Sequence, residues 1–266
     1  MKNTTADAPE VLLCMSTGRC GTAYLQKILS SAHFTHSLHE PSPTLASLRS
    51  CNAEIIIPAI VEKVTTMLDC QPPGTTTYAE TNHCLLHRHW KYFLITLLAR
   101  IDPRRKVGVV VLRRREEDVV RSRLELGHGT KYTKDGEERF RGEGWIYYPQ
   151  RLGPIDDASP LDIVCGYVVS VRNHVSEFLE EYGSDDRVVI YETSLDELND
   201  LNRVLELFDV FNLKSERSEL EEIVGRKVNE REGDKTKAAN HKGGISVAGE
   251  HVISATLSRI SAKLAK

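Results

Sequence analysis

Between residues 16 and 22 the chain reads Ser-Thr-Gly-Arg-Cys-Gly-Thr, concentrating glycines, hydroxyls and one guanidinium in seven positions. Glycines let a backbone approach an anion closely, and an arginine adds a fixed charge with a forked donor set for phosphate or sulfate oxygens. A second concentration is Arg113-Arg114-Arg115, after which Asp118 and Ser122 continue a four-residue spacing from Arg114. Side chains able to accept a proton from a reacting group stand at Glu40, beside His39, and at Glu80, three residues before His83.

Each of these groups sits where a regular element ends. Val11 to Met15 is a short apolar run suited to a fully buried strand, and Ala23 to Leu29 is built of good helix formers. The 16–22 stretch is therefore a strand-to-helix turn, the arrangement that aims unsatisfied N–H groups at an anion. It lacks the lysine that follows the second glycine in G-x-x-x-x-G-K-[ST], because Thr22 follows Gly21 directly. It also lacks a cysteine at the distance before Arg19 that a phosphatase loop requires. On these residues alone, an ordinary strand-turn-helix stays open.

The rest of the chain alternates in the same way. Residues 34–39 read as a strand ending at Glu40, which Pro41 biases toward an extended backbone. Residues 53–68 read as a helix kinked or begun at Pro58, 75–79 as a β-rich run ending at Glu80, and 84–100 as an amphipathic helix. KVGVVVL at 106–112 is a strand, followed by a helix with an acidic first turn and Gly127 near its end. Residues 128–160 show no clear period and are expected to form a substrate lid. Its Tyr132, Trp145, Tyr147 and Tyr148, with Lys131, Lys134, Arg139 and Arg141, suit a polar or sugar-like acceptor. A helix at 161–182, a strand at 187–192, helices at 195–213 and 215–225, a polar lysine-rich loop at 227–246 and a final amphipathic helix at 249–264 complete the reading. Strands alternating with helices predict one α/β domain over residues 1–266, a three-layer sandwich whose central, mostly parallel sheet has helices on both faces. Right-handed crossovers then gather the loops after Met15, His39, Ala79, Leu112 and Tyr191 along one edge.

Composition narrows the function classes. The chain has 266 residues, 40% apolar and 27% charged, with a net charge of −3. Nothing in that balance favours nucleic acid or an acidic membrane surface, so an anion site must be local. No stretch approaches the roughly 18 apolar residues that span a bilayer, and the start MKNTTADAPE lacks an apolar leader core. Cys14, Cys20, Cys51, Cys70, Cys84 and Cys165 are scattered without a C-x-x-C pair, which predicts free thiols in a cytoplasmic protein.

The segment R-x-x-x-D-x-x-x-S at Arg114, Asp118 and Ser122, after a buried strand, resembles the 3′-phosphate-binding segment of sulfotransferases that use 3′-phosphoadenosine 5′-phosphosulfate (PAPS). STGRCGTAYL is similar to the 5′-phosphosulfate loop of that P-loop-like family, and VVIYETSLDEL resembles its strand-and-turn segment written YEDL. The resemblance implies that Arg19 grips the 5′-phosphosulfate, with Gly18 and the N–H groups of Cys20, Gly21, Thr22 and Ala23 around it. It implies that Tyr24 and Tyr191 lie against adenine, that Arg114 and Ser122 clamp the 3′-phosphate, and that 227–246 caps the nucleotide through Arg231 or Lys235. Cys20 and Ala23 depart from the family's usual hydroxyl residues.

The implied reaction is in-line sulfuryl transfer to a hydroxyl or amine, with Arg19 supplying charge and Thr22 polarising the leaving group. Glu40 is the first candidate for the base, since tyrosylprotein and glycosaminoglycan sulfotransferases carry a glutamate at this exit; His39, Glu80 and His83 stay open. The expected partners are a small acceptor and no nucleic acid or membrane, with homodimerisation left open. No metal is expected, because the His83, Cys84, His87 and His89 cluster lacks ligand spacing. Two alternatives remain: a P-loop small-molecule or nucleoside kinase, and a non-catalytic nucleotide-binding domain.

Overall fold

Five strands form one parallel sheet in the computed structural model, which describes residues 8–42, 53–82, 90–134, 137–140, 148–226 and 249–265. The strands are β1 (Val11–Met15), β2 (Thr35–Leu38), β3 (Thr77–Glu80), β4 (Val107–Arg113) and, after a separate hairpin of β5 (Lys131–Lys134) and β6 (Glu137–Phe140), β7 (Val188–Ser194). Their order across the sheet is β2-β3-β1-β4-β7, and every pairing is parallel. The helices are α1 (Thr22–Ser30), α2 (Ala53–Asp69), α3 (Trp90–Arg100), α4 (Glu116–Glu125), α5 (Pro160–Tyr182), α6 (Leu201–Val210), α7 (Arg217–Ile223) and α8 (Glu250–Leu264). The three-layer α/β architecture expected from the alternating pattern is thus the observed one.

The described residues fall into two compact units, one of residues 1–113 with 177–228 and one of 114–176 with 229–266. The first unit holds the whole sheet. All five residues of β1 are buried, and Val109, Val110, Val111 and Leu112 of β4 are at most 2% exposed beside it. Trp90 and Phe93 from α3 join this core, where Trp90 meets Phe178 and Tyr182 edge-on at ring distances of 5.6 and 5.8 Å.

Strand order also fixes where the connections of the sheet diverge. The chain passes from β1 across β3 to reach β2, and from β3 back across β1 to reach β4. With right-handed crossovers, the chain leaves the carboxyl ends of these two adjacent strands toward opposite faces. Side chains place α1 and α2 on opposite faces, and α3, which follows β3, packs against α2. Ser37 of β2 donates to the Gln26 carbonyl of α1 at 3.2 Å, whereas Glu80, at a position that alternates with it, meets Lys63 of α2 at 2.9 Å.

In the second unit, α4, α5 and α8 bury Val119, Val120, Leu124, Ile163, Val164, Tyr167, Ile253, Leu257 and Ile260. Ser159 caps α5, accepting from the Asp162 N–H at 3.1 Å and donating back to the Asp162 carboxylate at 2.7 Å, with Pro160 as the first helical residue. Within 128–160, where the sequence shows no clear period, the described residues include the β5–β6 hairpin and short 3-10 turns at Gln150–Leu152 and Ile155–Asp157. Other differences are local. Pro58 lies inside α2 with helix on both sides, and the expected helix at 195–213 is a 3-10 turn at Glu197–Asn199 followed by α6. The expectations for 83–89, Trp145, Tyr147 and 227–246 lie outside the described residues.

Candidate functional site

The loop leaving β1 turns left-handed three times, at Gly18 (φ 66°), Arg19 (φ 58°) and Gly21 (φ 92°). A turn of this kind leading into a helix N-terminus is where backbone N–H groups can face an anion. Hydrogen bonds inside the loop hold the shape. The Gly18 N–H donates to Ser16 Oγ at 3.1 Å, Thr17 Oγ1 lies 2.9 Å from Cys20 Sγ, and the Gly18 carbonyl accepts from both Thr17 and Cys20. Gly18 therefore shapes the cradle, and its own amide is already engaged. Cys20 is 1% exposed, and its thiol lies inside the turn against Thr17 and the Gly18 carbonyl.

Gly21 ends the loop as the residue before α1, with no side-chain cap on the helix. The first hydrogen bond into the helix runs from the Leu25 N–H to the Gly21 carbonyl at 2.9 Å, so the N–H groups of Thr22 and Ala23 have no intrahelical acceptor. A Cβ at Gly21 would stand 2.5 Å from Leu195 Cδ1, in the residue that follows β7. Arg19 is exposed beside this N-terminus, and Thr22 is 7% exposed within the first turn.

Glu80 is the last residue of β3, where it pairs in register with Leu13. It is completely buried, and three donors converge on its carboxylate: Lys63 Nζ at 2.9 Å and the Tyr78 hydroxyl at 2.8 Å on Oε2, and Asn82 Nδ2 at 3.2 Å on Oε1. Burial pushes the Glu80 carboxyl up from its usual range, while Lys63 and the two hydrogen bonds oppose that rise. These partners fix the Glu80 carboxylate inside the fold. Glu40 is placed otherwise. It is exposed, two residues beyond β2 at the same sheet edge, and its φ of 49° is left-handed where Pro41 predicted an extended residue. Neighbouring hydrogen bonds override the local bias: His39 Nδ1 lies 3.0 Å from the Thr81 carbonyl and Lys63 donates to the Pro41 carbonyl at 3.2 Å. Arg19, Phe34, Glu40 and Asn212 are the four non-glycine residues with positive φ among those described, and two of them are site candidates.

The two aromatic residues expected against adenine are both buried. Tyr24 is 3% exposed, and its hydroxyl donates to the Leu198 carbonyl at 3.2 Å while accepting from the Gly225 N–H at 3.0 Å. It is a strut beneath α1 with no open face for a base. Tyr191 lies three residues before the end of β7, 7% exposed, edge-on to Phe211, with its hydroxyl donating to the Arg203 carbonyl at 3.2 Å. It packs under α6, level in register with Val110 of β4 and Cys14 of β1.

In the first unit, Arg113 closes β4 at that edge and pairs with Glu192 at 2.6 Å. Arg114, the next residue, opens the second unit and is half-buried, as is Ser122 on α4. Arg115 pairs with Glu250 of α8, and Asp118 pairs with Arg121 at 3.0 Å. His83, Arg231 and Lys235 lie outside the described residues. Among the described residues no three metal-ligating side chains form a group, and no helix is long and apolar enough to cross a membrane. Sequence reasoning missed Lys63, whose single lysine inside an apolar helix stretch was the available signal. No protein-family model matches the chain, and no curated protein matches it significantly.

Proposed function

We propose that the protein is a sulfotransferase that moves the sulfuryl group of PAPS to a hydroxyl or amine of a small or sugar-like acceptor, releasing adenosine 3′,5′-bisphosphate. One observation carries this reading: a left-handed, lysine-free cradle with an exposed guanidinium, at the N-terminus of α1 and on the same carboxyl edge as an exposed glutamate. Arg19 and the N–H groups of Thr22 and Ala23 receive the charge that builds on the 5′-phosphate as the bridging S–O bond breaks. Glu40 takes the proton of the acceptor as its oxygen or nitrogen bonds to sulfur. Arg114 and Ser122 hold the 3′-phosphate, with the fork of the arginine supplying most of that affinity. The protein acts in the cytoplasm on this reading.

A kinase is the second reading, favoured by the strand order and the loop position. It calls for a lysine after Gly21 and for a carboxylate at the neighbouring strand end able to serve magnesium. Thr22 stands at the first position, and Lys63, Tyr78 and Asn82 occupy the carboxylate of Glu80. Calorimetry with adenosine 3′,5′-bisphosphate and with ATP, each with and without magnesium, separates the two. Binding of the bisphosphate without magnesium is expected, and binding of magnesium-ATP alone would overturn the assignment. Radiolabelled sulfate transfer from PAPS to a panel of alcohols, sugars and amines then separates an enzyme from a non-catalytic binding domain.

A further inference from the structure

Resting on that reading, we propose that the buried Lys63–Glu80 pair is a clamp that positions the turn bearing Glu40. Both side chains are essentially inaccessible, at 1% and 0% exposure. Desolvating two charges costs much of what their attraction returns, so such a pair explains little about stability, and fixing one geometry is a better account of it. Its geometry is specific. Glu80 is immobilised by Tyr78 and Asn82, and it anchors Lys63, whose ammonium also donates to the Pro41 carbonyl immediately after Glu40. Immediately before Glu40, His39 Nδ1 lies 3.0 Å from the Thr81 carbonyl and 3.1 Å from the Thr81 hydroxyl. The Thr81 N–H donates to the Leu38 carbonyl at 3.1 Å, continuing the ladder past the end of β3. Glu40 is thus gripped on both flanks in a left-handed conformation, with φ 49°, that a glutamate adopts only when its surroundings over-determine it. Lys63 and Glu80 are positioning residues, and they act through the backbone on either side of Glu40.

The test compares the unmodified protein with Glu40→Gln, the double variant Lys63→Met/Glu80→Gln, and the triple combination. The double variant removes both buried charges together, because a single removal would strand the other. Adenosine 3′,5′-bisphosphate should bind the double variant within about twofold of the unmodified protein. Its release from PAPS, with the best acceptor of the panel or with water, should fall at least tenfold. Added to Glu40→Gln, the same double change should cost no more than about twofold, because both act through one carboxylate. Unchanged release, or a tenfold loss that multiplies in full on Glu40→Gln, overturns the clamp. Amide exchange reads the turn without turnover: protection of the Thr81 N–H should drop at least tenfold in the double variant, and unaltered protection overturns the clamp. If the double variant does not fold, Tyr78→Phe, which removes one of the donors that fix the Glu80 carboxylate and no charge, carries the same expected non-additivity. An unmodified protein that binds no bisphosphate overturns the sulfotransferase reading and this role with it, whereas binding with unaltered release in the variants overturns only the clamp.

Discussion

Gly21 joins two demands in one residue, a φ of 92° and a gap that Leu195 would fill against any Cβ. Gly21→Ala must therefore strain the backbone, and its methyl must displace the half-buried Leu195 side chain, whose Cδ1 would otherwise stand 2.5 Å away. A loss of about 2 kcal/mol or more in unfolding free energy is expected from urea denaturation. Tyr24→Phe should cost about 1 kcal/mol in the same measurement, since it leaves the Gly225 N–H without its acceptor and the Leu198 carbonyl without its donor. The glycines of the cradle were legible in the sequence because glycine is the residue that takes positive φ freely. The role of Tyr24 was not, because an aromatic just inside a helix reads equally as a platform or as core, and only the position of Leu198 and Gly225, 174 and 201 residues away, decides it. Glu40 shows the same limit. Proline sets a local preference for the residue before it, and here contacts with Lys63 and Thr81 outweigh that preference.

Strands and helices long enough to show a period were read nearly to their ends, since burial of β1 and β4 on both faces demands continuous apolar runs. The β5–β6 hairpin escaped because its four-residue strands are polar, although Asp135-Gly136 between them is a strong two-residue turn signal. The start of α5 carried its own mark in Ser159-Pro160-Leu161-Asp162, a capping box with proline at the first position. Asp162 also ties α5 to α8 through Arg259. Partial burial disfavours its ionisation, but hydrogen bonds from Ser159 and Arg259 outweigh that and hold the carboxyl below its usual range. A carboxyl so depressed contributes stability that is complete above the ordinary aspartate range, near about pH 4, and is lost as pH falls toward the lower folded value. Amide protection along α8 should accordingly decline as pH is lowered from about 4. Asp162→Asn should be weaker at neutral pH and lose that part of the decline; an identical acid profile in both proteins would count against the contact.

At the scale of the molecule, the alternation of apolar runs with amphipathic helices was enough to derive a parallel sheet, because only a crossover fold buries such strands on both faces. The strand order was not derivable in the same way. Nothing in the composition of β3 says that it inserts between β2 and β1, yet that insertion places the Glu80 strand end next to β1. The functional reading turns on whether the cradle and Arg114 serve one nucleotide, and ligand-linked stability tests this directly. A ligand that binds only the folded protein stabilises it by about 2.7 kcal/mol at a hundredfold excess over Kd. For a chain of this size that corresponds to a rise of roughly 5–10 °C in Tm. Adenosine 3′,5′-bisphosphate should produce such a rise with or without magnesium. Arg114→Ala should weaken affinity by more than about 1.5 kcal/mol, from loss of a charge-assisted contact, so that about tenfold more nucleotide is needed for the same rise. Adenosine 5′-monophosphate, lacking the 3′-phosphate, should respond to Arg19→Ala and be indifferent to Arg114→Ala. Equal sensitivity of both nucleotides to Arg114→Ala would mean that this arginine does not read the 3′-phosphate.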